Sequence, residues 1–173
     1  MIKTLPSFVL AYAIVAWSCL AEVPALAGTP MPTAVFSFDL FDTSLQGQEH
    51  GPDPAEQERL HALDGQLRKL LAESGCCVIV PLGKVADKAA TIVMSNCNGC
   101  DADFAREIGA HLAVTGAVQK VSNLILNINL AVRDVETGEV IHAGSVDIRG
   151  NTDESWSRGL RYLLRDRLHP SQW

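Results

Sequence analysis

The strongest constraint on this chain is a long stretch in which apolar and polar side chains alternate. The apolar members are Leu124, Leu126, Ile128, Leu130 and Val132. A period of two places them on one face of a β-strand, so the strand is predicted to be half-buried. Glu136-Thr137-Gly138 then indicates a tight turn, and residues 140–148 resume as a strand. The sequence therefore predicts a C-terminal β-hairpin.

Three further segments have strand character. Residues 33–41 alternate like a strand, residues 76–82 form an apolar run, and residues 110–121 are strand-like and rich in small side chains. Residues 43–52, which are polar and contain glycine, are predicted to be a loop. Together with the hairpin, these segments predict a mixed sheet of about five strands.

The clearest helix prediction begins at Asp53. Asp53 is a good N-cap, Pro54 suits the first helical position, and Glu56 stands three residues after the cap. Leucines recur at helical spacing to about Glu73, and Gly75 follows as a terminator.

Three other segments are predicted to be helical. Shorter helices are expected over residues 85–94 and 101–108, and Asn151 and Glu154 have capping-box spacing at the head of a last helix. Strands and helices in this order predict a single α/β (α+β) domain with helices packed on the sheet.

Composition excludes several classes of protein. The 173 residues are 47% hydrophobic, which excludes a disordered chain and fits one domain of ordinary size. A formal net charge of -6 argues against a general nucleic-acid binder, which needs a basic face to displace counterions. Beyond the N-terminus, no segment is apolar for long enough to span a bilayer.

Residues 1–27 have the pattern of a secretory signal peptide. Residues 8–20 form a short apolar run, and Ala25-Leu26-Ala27 is a small-x-small cleavage pattern with Gly28 after it. We therefore predict a periplasmic mature chain, residues 28–173, without a transmembrane span.

Export changes the expected chemistry of the cysteines. Cys19 leaves with the signal unless it is lipidated, and Cys76, Cys77, Cys97 and Cys100 remain. An even number of cysteines in an oxidising compartment favours disulfides. A bond between Cys76 and Cys77 is the least favoured pairing, because adjacent strand residues point to opposite faces. A local Cys97–Cys100 bridge and a longer bridge from the first pair to that loop both stay open.

The same cysteines define an alternative function, a thiol-redox or metal-handling accessory protein that uses the C-x-x-C loop. Asp101 and Asp103 follow Cys100 and work against a thiolate. The adjacent first pair makes tetrahedral zinc ligation awkward. We favour structural disulfides and predict no metal site.

Five polar residues are candidates for binding. Lys120 and Asn123 lie in a segment that links two strands and suits a carboxylate or a peptide, although such loops commonly have this composition. Arg149, Asn151 and Asp153 lie in the densest polar stretch, whose oxygens suit a hard cation. A helix cap at Asn151 and an ion pair of Arg149 explain that stretch equally well.

Asn127 and Asn129 are unusual because asparagine is depleted in strands. Their face is either solvated or meets a partner through amide hydrogen bonds. The five histidines form no close pair, and the chain contains no G-x-S-x-G, Walker or Rossmann motif. We therefore predict no catalytic residue, no cofactor and no enzymatic activity.

Two stretches resemble a family of exported bacterial proteins of unknown function. They are G-A-H-L-A-V-T-G-A-V-Q-K-V-S-N-L-I-L-N-I-N-L-A-V-R-D-V-E-T-G and A-G-S-V-D-I-R-G-N-T-D-E-S-W-S-R-G-L, and both V-F-S-F-D-L-F-D-T-S-L and C-N-G-C agree with them. The layout is more loosely similar to the N-terminal domain of TolB and to curli-secretion lipoproteins. The resemblance implies a small periplasmic adaptor with a protein partner, accessory to periplasmic quinoprotein oxidation.

Overall fold

The computed structural model describes residues 29–173, so the predicted signal peptide and Cys19 lie outside the described residues. These residues form one α+β domain. In chain order its elements are β1 (Met31–Val35), β2 (Asp39–Asp42), α1 (Leu45–His50), α2 (Pro54–Glu73), β3 (Cys77–Val80), α3 (Ala86–Ala89), α4 (Cys100–Glu107), β4 (Leu112–Ser122), β5 (Ile125–Asp134), β6 (Val140–Ile148) and α5 (Asp153–Leu163).

The strands form one open mixed sheet in the order β3-β1-β4-β5-β6, with β2 also paired to β4. β1 and β2 run parallel to β4, whereas β4, β5 and β6 form an antiparallel meander. The predicted hairpin and the mixed sheet are confirmed, and the sheet has one strand more than expected.

The main core lies between the sheet and the helices α2 and α5. The alternate residues of β5, from Leu126 to Val132, are buried there against Leu63 and Trp156, as their period of two predicted. The prediction is wrong for Leu124, which lies in the turn before β5 and is 71% exposed. A smaller core on the opposite face contains Phe36 and Ala105 and lies under α4. α4 covers only part of that second face. Within residues 29–173, none of the helices is long and apolar enough to cross a bilayer.

The predicted strand over residues 33–41 is in fact two strands, β1 and β2. The chain leaves the strand conformation at Phe36, which packs in the smaller core, and Phe38 packs in the main one. The Phe38 N–H donates to Asp64 Oδ1 of α2 at 2.8 Å, which replaces the strand hydrogen bond lost at the break.

Helix boundaries follow the sequence where capping residues are strong. α2 spans Pro54–Glu73 as predicted, and the Asp53 side chain accepts the Ala55 N–H. The loop prediction for residues 43–52 is wrong, because Ser44 caps the short helix α1. Only Ala86–Ala89 of the predicted helix over residues 85–94 is α-helical.

Candidate functional site

Four of the five predicted binding residues meet in one hydrogen-bond network around a residue that was not predicted, Glu56 of α2. Lys120 Nζ donates to Glu56 Oε1 at 2.5 Å, and Asn151 Nδ2 donates to the same oxygen at 2.6 Å. Asn151 Nδ2 also lies 3.2 Å from Asn123 Oδ1. β4, the turn that follows it, α2 and the segment before α5 therefore converge at one end of the sheet.

The charged centre of this network is buried. Lys120 and Glu56 each have side chains only 1% exposed, and Lys120 Nζ also donates to Asp42 Oδ2 at 3.0 Å. Burial opposes the charge on Lys120, but its hydrogen bonds to Glu56 and Asp42 outweigh burial and raise its pKa. Burial likewise opposes ionisation of Asp42, yet hydrogen bonds from Ser44 and Lys120 hold its pKa below the ordinary value.

Asn151 connects the buried centre to the surface. Its Oδ1 accepts from Trp156 Nε1 at 3.0 Å and from Arg59 Nη1 at 3.4 Å. Arg59 Nε also donates to Asp153 Oδ1 at 2.7 Å, so Asp153 joins the network at its exposed rim. The proposed cap at Asn151 is wrong: Thr152 is the N-cap of α5 and forms a capping box with Ser155.

Arg149 does not join the network. It is exposed and lines a separate surface depression with Arg158 and Tyr162. The predicted ion pair with Asp147 or Asp153 is not among the ion pairs of the described residues, since Asp153 pairs with Arg59 and Asp147 accepts from Asn127 Nδ2 at 2.7 Å. The predicted polar stretch is therefore split: Asn151 and Asp153 belong to the network, and Arg149 belongs to the separate depression.

Sequence reasoning missed Glu56, Asp42 and Arg59. Glu56 was interpreted as a capping-box residue, whereas its side chain turns inward to Lys120. A lysine among the buried positions of β4 was the one available signal, because a buried ammonium requires a carboxylate partner.

All four described cysteines are in disulfides. Cys97 is bonded to Cys100, and Cys76 is bonded to Cys77. The expectation that the adjacent pair would be the least favoured bridge is wrong. Cys76 lies in a turn after Gly75, before β3 begins at Cys77, so the opposite-face argument for strand residues does not apply. Both residues are buried in the main core.

A second region, which we call the open face, is the part of the sheet that α4 leaves uncovered. Its side chains form rows across β4, β5 and β6: Thr115–Ala131–Ala143, Ala117–Asn129–Ser145 and Gln119–Asn127–Asp147. With Phe41 of β2 and the Ser95–Asn96 turn as walls, the first two rows floor a groove of about 690 Å³. Every residue that lines this groove is uncharged.

Asn129 lies on the floor of the groove in the open face. Its Nδ2 atom is buried and has no hydrogen-bond partner among the described residues. A buried amide N–H without an acceptor is costly, so this donor favours a ligand that brings an oxygen. Since Asn127 bonds to Asp147 instead, the two strand asparagines have different environments.

Neither region groups the side chains that usually bind a metal ion. Within residues 29–173, no three His, Cys, Asp or Glu side chains are grouped to hold a metal ion. Burial raises the pKa of Asp64 despite the hydrogen bond from Phe38, and that carboxylate accepts from the segment that joins β1 to β2. What the arrangement offers is hydrogen bonding and shape.

Comparison with solved structures shows what this fold is similar to. The C-terminal domain of LpoB from Salmonella enterica is 17% identical, covers 72% of this chain and 87% of that one, and has a TM-score of 0.52. The PelC dodecamer subunit from Paraburkholderia phytofirmans is 17% identical over 86% and 91%, with a TM-score of 0.52. LpoB from Escherichia coli is 13% identical over 87% and 84%, with a TM-score of 0.53.

At these identities the likeness concerns the fold. The looser resemblance to TolB and curli-secretion domains stays a prediction. No curated protein sequence matches this chain. A family model described as "Protein of unknown function (DUF2380)" matches residues 32–168, and the chain therefore belongs to the DUF3280 family.

Proposed function

We propose that this protein is a non-enzymatic binding module of the bacterial periplasm that holds an extended segment of a partner protein on its open face. The observation that carries the proposal is the uncharged groove, with the unpartnered Asn129 amide at its floor. Such a site recognises its ligand through hydrogen bonds and shape rather than through charge.

The lining favours a polypeptide over a charged small molecule. Ala117, Ala131 and Ala143 leave the floor low, so a second chain can approach the sheet closely. Asn129 supplies an amide donor, and Thr115 and Ser145 add hydroxyls that suit the carbonyl oxygens and N–H groups of an extended backbone.

The neighbouring sheet edge supports the same ligand. β6 is the last strand in the sheet order, and within residues 29–173 it pairs with β5 alone. An edge strand presents unpaired N–H and C=O groups that an added strand completes. A segment of the partner that pairs with β6 would place alternate side chains beside Ala143 and Ser145 on the open face.

The proposal also includes the cellular compartment of the protein and the class of its partner. The signal-like pattern of residues 1–27 and the pairing of every described cysteine support the periplasm. The resemblance described above makes a periplasmic quinoprotein the first partner to test.

Site-specific photo-crosslinking tests the proposal in the native periplasm. A benzoylphenylalanine at Ser145 should form one predominant adduct, because that residue lines the groove. The same probe at Ala72, exposed on α2, is the matched control and should form none. Ala131→Trp fills the groove and should remove the Ser145 adduct without lowering the melting temperature.

Two results would contradict the proposal. Equal adducts at positions 72 and 145 would show that the open face has no preference for a partner. An adduct at position 145 that persists in the Ala131→Trp variant would place the contact outside the groove. Mass spectrometry of the adduct then decides whether the partner is a quinoprotein.

A further inference from the structure

A small cavity lies on the other side of β2 from the open face. Alternate residues of a strand point to opposite faces, so Phe41 lines the groove and Asp42 lines the cavity. The cavity has a volume of about 250 Å³, and its other lining residues are Leu40, Gly47, Gly51, Pro52, Glu56 and Gln57. This is roughly eight times the ~30 Å³ that a water molecule occupies in the liquid.

Glu56 lines this cavity and has one carboxylate oxygen that is not used. Glu56 is fully buried, and its Oε1 accepts from both Lys120 and Asn151. Its Oε2 is buried and has no hydrogen-bond partner among the described residues. A carboxyl oxygen without a hydrogen-bond partner is costly to bury, so a donor supplied from outside would be favoured.

The charges of Asp42, Glu56 and Lys120, taken together, favour a donor that is a cation. Lys120 Nζ contacts both Asp42 and Glu56, so two carboxyl groups share a single ammonium. Asp42 and Glu56 line the cavity, whereas Lys120 does not. A divalent metal is disfavoured because an ammonium already occupies the space between the only two carboxylates of the cavity lining. An ammonium or guanidinium group fits both charge and hydrogen bonding.

Exposed apolar side chains lie on the elements next to this region. They are Leu45 at 69%, Val121 at 59%, Leu124 at 71% and Ile125 at 49% exposed. Leu45 belongs to α1, which also supplies Gly47 to the cavity, and the other three belong to β4, β5 and their connecting turn. Asn123 Nδ2 bonds to Gln46 Oε1 at 2.8 Å and ties that turn to α1. We call these four side chains the apolar rim.

From these contacts we infer that the Glu56 cavity and the apolar rim form a second docking surface, which receives a lysine or arginine side chain flanked by apolar residues of a partner protein. Arginine is among the residues that dominate binding energy at protein interfaces, where surrounding contacts exclude water from the anchor. The inference does not depend on the groove, since β2 separates the two sites.

Nuclear magnetic resonance on the 15N-labelled protein tests the cavity directly. n-Butylguanidinium should shift the amide resonances of Gly47, Gly51 and Gln57 saturably, whereas the neutral isostere n-butylurea should not. Glu56→Gln should weaken n-butylguanidinium binding at least tenfold. Glu58→Gln removes the same charge from an exposed position of α2 and should change the affinity less than twofold.

The rim is tested with a peptide. Acetyl-Leu-Arg-Leu-amide should bind at least tenfold more tightly than n-butylguanidinium, and Leu124→Ser should remove that advantage. Ala131→Trp should leave this binding unchanged, which separates the inference from the groove proposal.

Three outcomes would overturn the inference. Equal shifts with n-butylurea would exclude recognition of charge, and this comparison uses the wild-type protein, so it holds even where Glu56→Gln does not fold. Larger shifts of the same resonances with Ca²⁺ would assign an inorganic cation site. A peptide that binds no better than n-butylguanidinium would exclude the rim as part of a protein interface.

Discussion

The two faces of the β4–β6 meander follow the same alternation of residues but have opposite chemistry. On the helix-covered face, Leu130 and its alternate neighbours are large aliphatic residues packed under α2 and α5. On the open face, Asn129 and Ala131 are small or polar and line the groove. The helix-covered face therefore holds the main core, whereas the open face keeps small and polar side chains at the surface.

The largest change in stability is expected at Lys120, whose buried ion pairs lie on the helix-covered face of the sheet. Lys120→Met leaves Glu56 and Asp42 without their cation, and breaking a buried ion pair in this way costs about 3–5 kcal/mol of unfolding free energy. Urea denaturation measures the loss. Lys69→Met, at the exposed pair with Glu73, is the control and should change stability by less than about 0.5 kcal/mol. Equal losses would show that burial of Lys120 has no special role.

Substitutions at two neighbouring positions, one on each face of β5, test whether the two faces contribute differently to stability. Leu130→Ala should cost about 2–5 kcal/mol because it leaves a cavity in the main core. Asn129→Ala should cost less than about 1 kcal/mol, since its Nδ2 has no partner to lose. Thermal and urea unfolding measure both. Comparable losses would mean that the open face is part of the core.

Substitution of two glycines in helices compares a tightly packed position with an open one. A Cβ at Gly159 would lie 2.5 Å from Ile148 Cγ2, so Gly159→Ala should destabilise the protein by about 1–3 kcal/mol. Gly65 of α2 has open space around it, and Gly65→Ala should stabilise by about 0.5–1 kcal/mol through helix propensity. The sign of the change, read from the urea midpoint, decides the prediction.

The smallest effect is on pH dependence. The pKa of Asp42 is lowered in the folded state from 3.8, so its contribution to stability is present above pH 3.8 and is lost as the pH falls below it. The pKa of Asp64 is raised, so that group has the opposite sign. Asp42→Asn should therefore flatten the acid limb of the stability curve, and Asp64→Asn should steepen it. Asn129→Ala, which alters only the open face, should retain the wild-type curve.

Local signals predicted much of the fold. Asp53, Pro54 and Gly75 determine where α2 begins and ends, because capping is decided by a few neighbouring residues. The alternation correctly predicted that Leu126, Ile128, Leu130 and Val132 are buried, but Leu124 is exposed because the strand begins after it. The break at Phe36–Phe38 was not predicted, since it depends on two cores on opposite faces of the sheet.

The candidate sites were predicted less completely. Lys120, Asn123, Asn151 and Asp153 were recognised as polar candidates from composition. Their common partner, Glu56, was not, because its first-turn position explains a glutamate without any distant contact. The Cys76–Cys77 bridge was missed for a related reason, since a turn at Cys76 removes the geometry that the argument assumed.

By itself the sequence determined the elements with local causes: the hairpin, the long helix α2, the α+β class and the acidic, disulfide-bearing composition. Only the tertiary structure decided which polar residues meet, how far α4 covers the sheet and which oxygen of Glu56 stays unused. The difference lies in how far along the chain each interaction acts. Caps, turns and hydrophobic period act over a few residues, whereas Glu56 and Lys120 are 64 positions apart and meet only when the sheet and α2 pack together.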